Sequence, residues 1–212
     1  AATGRELWAS NGTVAGTSEV LDIQPGSGSS IESGDEEFAT VAGLTYFAAD
    51  DGTHGVELWA TDGTPAGTYL VADINPGAAG SYPDGLTVVG DQLFFAADEP
   101  NNGRELWRTN GTAAGTMLFI DLRPGGSSST PESLASDGAS LYFVAASSAI
   151  GRELWVTDTT PAGTVMLRAL AIAPQEILKL VAAANGVFFF SDDLLLGLGL
   201  ELWFSDGTPT GT

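Results

Sequence analysis

A twelve-residue motif that begins with Glu-Leu-Trp recurs five times along this chain of 212 residues. The first interval between triplets is 51 residues and the next three are 48, because the triplets lie at 6–8, 57–59, 105–107, 153–155 and 201–203. Self-similarity with a period of about 40–50 residues is typical of propellers and other repeat arrays. The repeat therefore restricts the possible folds more than any other feature of the sequence.

One unit of the repeat is predicted to contain four antiparallel strands. In the second full unit these are 86–90, 92–98, 104–109 and 117–122, separated by Gly, Pro, Asn and Asp. Short turns between strands rich in β-branched and aromatic residues produce an antiparallel meander. The strand 92–98 is apolar on both faces, as expected for a propeller blade that is covered by a neighbour on each side.

We therefore predict an all-β fold: a β-propeller, or a propeller segment, of four-stranded antiparallel blades. The whole chain, 1–212, is expected to be a single repeat domain of about four blades and a segment of a longer repeat array. The predicted units are a partial blade at 1–33, blades at 34–84, 85–132 and 133–176, and a partial blade at 177–212. A lone unit buries too little apolar surface to offset its backbone entropy, so the units must stack.

The Trp and Glu of the triplet are predicted to be structural. Each Trp ring is expected to pack in the core, with stacking on a sugar as the alternative role. An Arg precedes the Glu in three copies, and neighbours along a strand point to opposite faces. We therefore expect ion pairs between strands or between blades. The Trp residues concerned are Trp8, Trp59, Trp107, Trp155 and Trp203.

The turn after each triplet carries an Asp or Asn at a fixed position. Both side chains accept backbone N–H bonds in an Asx-turn, and cation binding by the Asp copies is the alternative. The residues are Asn11, Asp62, Asn110, Asp158 and Asp206. Gly follows in four copies but Thr159 in one, which suggests that a positive φ is not required there.

The loop between the second and third strands of a unit is acidic in two early copies. Asp50 and Asp51 lie in one such loop and Asp98 in the next. Carboxylates and carbonyls in a Gly-rich loop are ligands that suit Ca²⁺, so these three residues are the calcium candidates. The spacing is not that of an EF-hand, and an ordinary acidic surface loop is the alternative. No other cofactor is expected.

Catalytic residues are not evident. His54 is the only histidine and cysteine is absent, so neither a nucleophilic device nor a zinc site is indicated. A pair of carboxylates near a propeller axis would hydrolyse glycosides, with Glu99 and Glu132 as test positions. An active site needs unique residues, however, and most carboxylates recur with the repeat. The non-repeating ones are Glu32, Asp35, Glu36, Glu37, Glu99 and Glu132.

The charge of the chain argues against two classes of partner. The formal net charge is −20, which repels nucleic-acid phosphates and anionic lipid headgroups. The apolar stretches are interrupted before they reach the length of a membrane span, and the first residues do not read as a signal peptide. We expect no nucleic-acid binding and no membrane insertion.

The five motif copies read ELWASNGTVAGT, ELWATDGTPAGT, ELWRTNGTAAGT, ELWVTDTTPAGT and ELWFSDGTPTGT. In this pattern the chain resembles the family of bacterial ELWxxDGT-repeat proteins over essentially its whole length. The resemblance implies large, exported or surface-associated proteins with propeller-like folds, and no defined activity. Two departures stand out: Ala171 replaces an Asp found in the other units, and the first unit has three extra residues around 30–38.

These observations favour a non-enzymatic bacterial repeat module, secreted or at the cell surface, with a structural or binding role in an extracellular assembly. The expected partners are other protein chains or further copies joined by strand addition, with glycans as a further candidate. The alternatives are a carbohydrate-active enzyme and a calcium-stabilised adhesion module.

Overall fold

The computed structural model of the protein describes residues 4–31, 37–149, 151–170, 179–192 and 200–212. Five antiparallel sheets contain the strands of these residues. Sheet 1 consists of β1 (Leu7–Ser10) and β2 (Thr17–Leu21). Sheet 2 consists of β3 (Ala39–Val41), β4 (Leu44–Asp50), β5 (Val56–Thr61) and β6 (Tyr69–Ala72).

The next two sheets also have four strands each. Sheet 3 consists of β7 (Asp84–Val89), β8 (Gln92–Glu99), β9 (Gly103–Thr109) and β10 (Met117–Ile120). Sheet 4 consists of β11 (Glu132–Ser136), β12 (Leu141–Ala145), β13 (Arg152–Thr157) and β14 (Val165–Leu170). Sheet 5 consists of β15 (Leu180–Ala183), β16 (Gly186–Asp192) and β17 (Leu200–Ser205).

Within each sheet the strands pair in chain order and antiparallel, as a meander. The prediction of an all-β fold with four-stranded antiparallel sheets is therefore confirmed. Two of the sheets begin one residue before the predicted unit boundaries, since β7 begins at Asp84 and β11 at Glu132. Short 3-10 helices end the motif turns, at Pro65–Gly67, Ala113–Gly115, Pro161–Gly163 and Pro209–Gly211.

The second and third strands of sheets 2 to 5 pair in one repeated register. In each case a Phe of the second strand lies opposite the Trp of the third. Directly opposed residues of antiparallel strands point to the same face, and the next residue along a strand points to the other. The Trp of each triplet therefore shares a face with this Phe, and the Leu before it lies on the opposite face. The opposed pairs are Phe47 with Trp59, Phe95 with Trp107, Phe143 with Trp155, and Phe189 with Trp203.

The core lies between successive sheets. Four apolar clusters join sheet 1 to sheet 2, sheet 2 to sheet 3, sheet 3 to sheet 4 and sheet 4 to sheet 5. The first strands of the later sheets also contact one another in chain order, β3 with β7, β7 with β11 and β11 with β15. Among the described residues no closed ring is detected.

Candidate functional site

Three of the triplet glutamates accept hydrogen bonds from a Ser that lies 24 residues further along the chain. The side chains are buried. Glu57 Oε2 accepts from Ser81 Oγ at 2.5 Å, and Glu57 also accepts from the backbone N–H groups of Ile74 at 3.2 Å and Asn75 at 3.1 Å. We call this contact the Glu–Ser junction. The three junctions are Glu6 with Ser30, Glu57 with Ser81, and Glu105 with Ser129.

Each junction serine also connects two sheets. The carbonyl of Ser81 accepts from the backbone N–H of Asp98 at 2.8 Å, so this residue ties β5 of sheet 2 to β8 of sheet 3. The carbonyls of the other two junction serines accept in the same way from a residue at the end of the second strand of the next sheet. Those bonds are Asp50 N–H to Ser30 at 2.9 Å and Ala146 N–H to Ser129 at 2.8 Å.

Burial is the main influence on the junction carboxyl groups. It raises the pKa of Glu57 and of Glu105 above their ordinary value of 4.5, while hydrogen bonds from the junction serine and from backbone N–H groups oppose that rise. These bonds fill the acceptor positions of a carboxyl group that is out of reach of water. The junction glutamates therefore act as connectors between segments of the chain.

The sequence analysis missed the junction serines. A signal was present, because a Ser recurs 24 residues after the Glu in the first three units, whereas position 177 in the fourth is Ile. In that unit Glu153 accepts instead from the backbone N–H of Ser147 at 2.7 Å. Ala171 and position 177 lie outside the described residues.

The predicted ion pairs form through the arginines and not through the triplet glutamates. Arg104 Nη1 lies 3.0 Å from Asp98 Oδ2 on the neighbouring strand, and Arg152 pairs with Glu132 in the same sheet. Among the described residues, no ion pair involves the three junction glutamates. The expectation for those glutamates was wrong because they accept hydrogen bonds from serine and backbone donors of the connecting segment instead.

The Asp or Asn of the motif turn caps it, as predicted for an Asx-turn. Asp62 Oδ1 accepts from the backbone N–H of Thr64 at 2.9 Å and from its hydroxyl at 2.7 Å. Thr64 Oγ1 in turn accepts from the N–H of Gly67 at 3.0 Å. The hydroxyl bond from Thr64 lowers the pKa of Asp62 below its ordinary value. Asn11 and Asn110 make the same bonds through Oδ1, so the turn does not require a charge.

Thr159 has a positive φ of 74°, close to the φ of 85–89° at the equivalent Gly63, Gly111 and Gly207. The inference that this conformation is not required was therefore wrong. A β-branched residue is strained in the left-handed region.

At two of these turns the neighbouring sheet gives a second reason for Gly, besides the positive φ. A Cβ added to Gly111 would collide with Tyr46 Oη, and one added to Gly207 would lie 3.0 Å from Tyr142 Oη. Both tyrosines belong to the preceding sheet. At the equivalent place sheet 3 carries Phe94, which has no hydroxyl, so the repeat leaves room for the Cβ of Thr159.

The three calcium candidates make hydrogen bonds and ion pairs within the protein. Asp50 Oδ1 accepts from the N–H of Gly52 at 2.7 Å. Asp51 Oδ1 accepts from the N–H groups of Thr53 at 2.8 Å and His54 at 2.9 Å. Asp98 pairs with Arg104. In the described ranges no group of three or more His, Cys, Asp or Glu is placed to hold a metal ion. Calcium binding stays a prediction.

The carboxylates considered for glycoside hydrolysis bind separate partners. Glu99 accepts from the side-chain amides of Asn101 and Asn102, both at 2.6 Å, and closes its own loop. Glu132 pairs with Arg152. His54 Nδ1 lies 2.7 Å from Asp51 Oδ2, and this hydrogen bond raises the pKa of the imidazole. Glu32, Asp35 and Glu36 lie outside the described residues.

A pocket of about 300 Å³ lies between sheets 2 and 3. Its lining includes Glu37, Tyr82, Asp84 and Arg104. Glu37 Oε2 accepts from the N–H of Leu86 at 3.0 Å, and Asp84 lies 3.7 Å from Arg104 Nη2. The ring of Tyr82 is exposed. The pocket thus offers an aromatic side chain together with polar groups of both signs.

Four of the five motif Trp rings lie against the preceding sheet. Trp59 belongs to the cluster with sheet 1, and Trp107, Trp155 and Trp203 pack against the clusters with sheets 2, 3 and 4. Arg168 of sheet 4 stacks over the Trp203 ring at 4.1 Å from its centroid. The Trp of sheet 1 is different, because its ring is exposed.

No protein-family profile matches the chain, and no curated protein matches it. Solved structures are similar at low sequence identity. Oligopeptidase B from Leishmania major is 12% identical, with a TM-score of 0.53 and 95% of this chain covered. TolB from Acinetobacter baumannii is 10% identical, with a TM-score of 0.50 and 94% covered. The computationally designed Ika8 protein is 18% identical, with a TM-score of 0.47 and 81% covered.

This chain spans 29% of the oligopeptidase B chain and 46% of the TolB and Ika8 chains. The first two are β-propeller-type proteins, and at such identities the likeness concerns the fold alone. Membership of the ELWxxDGT-repeat family stays a prediction. None of the helices in the described part of the chain has the length and hydropathy needed to span a bilayer.

Proposed function

We propose that this chain is a β-propeller-type repeat module without enzymatic activity, with a structural or binding role in an extracellular assembly. The propeller arrangement is supported by the first strands, which contact one another in chain order, and by apolar packing on both faces of sheets 2, 3 and 4. The similar solved structures with TM-scores of 0.50 and above are of the propeller type.

One observation carries the proposed role: the side chains that define the repeat are used to join and cap sheets. The junction glutamates hold connecting segments, four of the five Trp rings pack against preceding sheets, and the turn Asp and Asn residues bind their own turns. Glu99 and Glu132, the test positions for hydrolysis, are also bound to local partners. A chain whose distinctive residues serve cohesion is suited to a structural role.

The absence of enzymatic activity is tested by a hydrolysis screen against polysaccharides. The wild-type chain is compared with Glu99→Gln and Glu132→Gln, and with Asp91→Asn in the exposed β7–β8 turn as the matched control. We expect no hydrolysis by any of the four proteins. Hydrolysis by the wild type that Asp91→Asn retains and either Gln variant loses would establish the carbohydrate-active alternative.

The extracellular location is tested on cells of the source organism. An antibody raised against the chain is expected to label intact cells or to detect the chain in the culture medium. Labelling that requires permeabilised cells, with no chain in the medium, would contradict the proposed location. The resemblance to exported bacterial proteins supports it.

A glycan is the second candidate partner, and the pocket between sheets 2 and 3 favours it. Sugars bind through aromatic faces and through hydrogen bonds to charged side chains, and Tyr82, Asp84 and Arg104 provide both. Tyr82 has a φ of 48°, so Asn is the suitable replacement because it tolerates this conformation. Calorimetric titration with oligosaccharides is expected to show binding that Tyr82→Asn removes, and binding unaffected by that change would place the site elsewhere.

A further inference from the structure

The pocket between sheets 2 and 3 is lined by residues that depart from the repeat. A shift of 48 residues aligns the units of sheets 2, 3 and 4, so the pocket residues can be compared with their counterparts. Side chains that hold the sheets together recur with the repeat. Departures that meet at one cavity therefore indicate a role specific to this junction. They are Glu37 in place of Gly85 and Ser133, Val56 in place of Arg104 and Arg152, and Tyr82 in place of Thr130.

Val56 removes a positive charge from one wall of the pocket. At this position sheets 3 and 4 carry an Arg that pairs with a carboxylate of its own sheet, Arg104 with Asp98 and Arg152 with Glu132. Val56 has no charged group, so it gives the wall an apolar side chain instead. The wall that sheet 2 contributes thus lacks the cation that the next two sheets supply at this position.

The polar groups of the pocket carry a surplus of negative charge. Arg104 is the cation in the described lining, and its Nη1 donates to Asp98 Oδ2 at 3.0 Å and to the carbonyl of Tyr82 at 2.9 Å. Asp98 balances the charge of Arg104, so the carboxylates of Glu37 and Asp84 are in excess. The side chain of Asp84 is largely exposed, although it lies 3.7 Å from Arg104 Nη2, and a ligand can reach it.

The backbone of Tyr82 is fixed from both sides. Its N–H donates to the carbonyl of Val56 at 3.1 Å, and its own carbonyl accepts from Arg104. Its φ of 48° lies in the left-handed region, which a bulky residue adopts only where its surroundings hold it. Thr130 has a φ of 50° and the equivalent N–H bond, so this conformation belongs to the repeat and the aromatic ring does not. An exposed ring on a fixed backbone is a rigid stacking surface.

We propose that this pocket binds a sugar that carries a free, protonated amino group. The inference rests on the glycan binding put forward in the proposed function and names the class of glycan. The ring of Tyr82 stacks on the C–H face of the sugar, and the ammonium group donates to the carboxylates of Glu37 and Asp84. The ligand thereby supplies the cation that Val56 does not. The volume of about 300 Å³ is at the small end of ligand pockets and suits one sugar unit.

The charge of the pocket selects against other sugars. N-acetylation removes the charge of the amino group and with it the attraction to the two carboxylates. A uronic acid brings a further carboxylate to an acidic pocket of a chain whose net charge is −20. Salt screens the attraction between ammonium and carboxylate groups, so binding of the amino sugar weakens as NaCl is raised.

Calorimetric titration of the whole 212-residue chain tests the proposal with three oligosaccharides. They are a glucosamine oligomer, its N-acetylated form and a galacturonic acid oligomer, all at a mildly acidic pH that keeps the amine protonated. We expect the glucosamine oligomer to bind about tenfold more tightly than the N-acetylated form, because its ammonium makes charged hydrogen bonds. The galacturonic acid oligomer is expected not to bind.

Two variants test the role of charge. Val56→Arg introduces the residue that sheets 3 and 4 carry, and should weaken binding of the glucosamine oligomer by about tenfold or more, because two cations then compete for the same carboxylates. Asp84→Asn should weaken it by about threefold or more. Asp91→Asn removes the same charge from the exposed β7–β8 turn and is the matched control. Circular dichroism melting establishes that each variant is folded.

Several results would overturn the inference. Equal affinity for the two glucosamine forms, lost in Tyr82→Asn, would keep the glycan candidate and remove the selection by charge. Tighter binding of the galacturonic acid oligomer would make Arg104 the recognition group. Glucosamine binding that Val56→Arg and Asp84→Asn leave unchanged would place the site elsewhere.

Two further results separate this inference from the proposed function. Tighter binding of an oligolysine peptide than of the glucosamine oligomer would make the occupant a basic protein segment and overturn the inference. Binding of none of the sugars would remove the glycan candidate together with this inference. Neither result would change the tests of enzymatic activity and of location, on which the proposed structural role depends.

Discussion

Removing the hydroxyl of Ser81 is expected to weaken the connection between sheets 2 and 3. This hydroxyl donates to Glu57 at 2.5 Å, and both side chains are fully buried. A hydrogen bond to a charged acceptor contributes about 1.5–3 kcal/mol to stability. We therefore expect Ser81→Ala to lower the free energy of unfolding by that amount.

Urea denaturation followed by circular dichroism measures this effect. With a denaturant slope of about 3 kcal/mol/M, the Ser81→Ala midpoint should fall by about 0.5–1 M urea. Ser18→Ala, at an exposed position of β2, is the control and should stay within about 0.5 kcal/mol of the wild type.

A double-mutant cycle tests whether the effect passes through Glu57. Glu57→Gln removes the charge and one acceptor oxygen, so the Ser81 hydroxyl then makes at most a neutral hydrogen bond of about 1 kcal/mol. Ser81→Ala should therefore cost less in the Gln background, with a coupling above about 0.5 kcal/mol. Additive costs, or a Ser81→Ala variant as stable as Ser18→Ala, would refute the reasoning.

Four further outcomes are expected. Thr159→Gly should stabilise the protein by about 1 kcal/mol by relieving the positive φ, and should reduce the cost of Phe94→Tyr; a destabilised Gly variant in thermal melting would contradict this. Asp62→Asn should be within about 0.5 kcal/mol of the wild type while Asp62→Ala costs about 1 kcal/mol, and equal losses in the two would exclude the capping role. The pKa of Glu57 is raised in the folded state, so its contribution to stability is present below its ordinary value of 4.5 and is lost as pH rises through the raised pKa. The melting temperature of Glu57→Gln should therefore fall less than that of the wild type from about pH 4 to pH 8, and identical profiles would contradict the burial effect. The calcium hypothesis predicts that CaCl₂ raises the melting temperature and that MgCl₂ does not. A melting curve that EDTA leaves unchanged would exclude the hypothesis.

The strands and turns were readable from the sequence because their signals are local. Alternation of apolar residues and Gly-rich turns placed β8 and β9 within one residue of their ends, over Gln92–Glu99 and Gly103–Thr109. The capping role of Asp62 was likewise predictable, since an Asx-turn is formed by neighbouring residues.

The contacts between sheets were harder to predict because they join residues far apart in the chain. Nothing local links Glu57 to Ser81, and the bond becomes visible only when the connecting segment returns to the same sheet. The positive φ of Thr159 was missed for a similar reason. Whether a Cβ is tolerated there depends on Phe94 in another sheet, where two other sheets carry Tyr46 and Tyr142.

The difference in exposure between the first two motif Trp side chains was also beyond sequence reasoning. Trp8 and Trp59 occupy the same position of the motif, but Trp8 is 57% exposed, whereas Trp59 packs in the cluster between sheets 1 and 2 and is 8% exposed. A repeat specifies the side chains of each face, but the packing of the whole series decides which face is covered.

The central claim is that successive sheets pack face to face in one repeated arrangement. Nuclear Overhauser contacts between neighbouring sheets test it most directly. The account predicts contacts from the Tyr46 ring to the Hα protons of Gly111, and from the Tyr142 ring to those of Gly207, because each turn lies against the tyrosine of the preceding sheet. Spectra in which both rings contact only residues of their own sheets would contradict it.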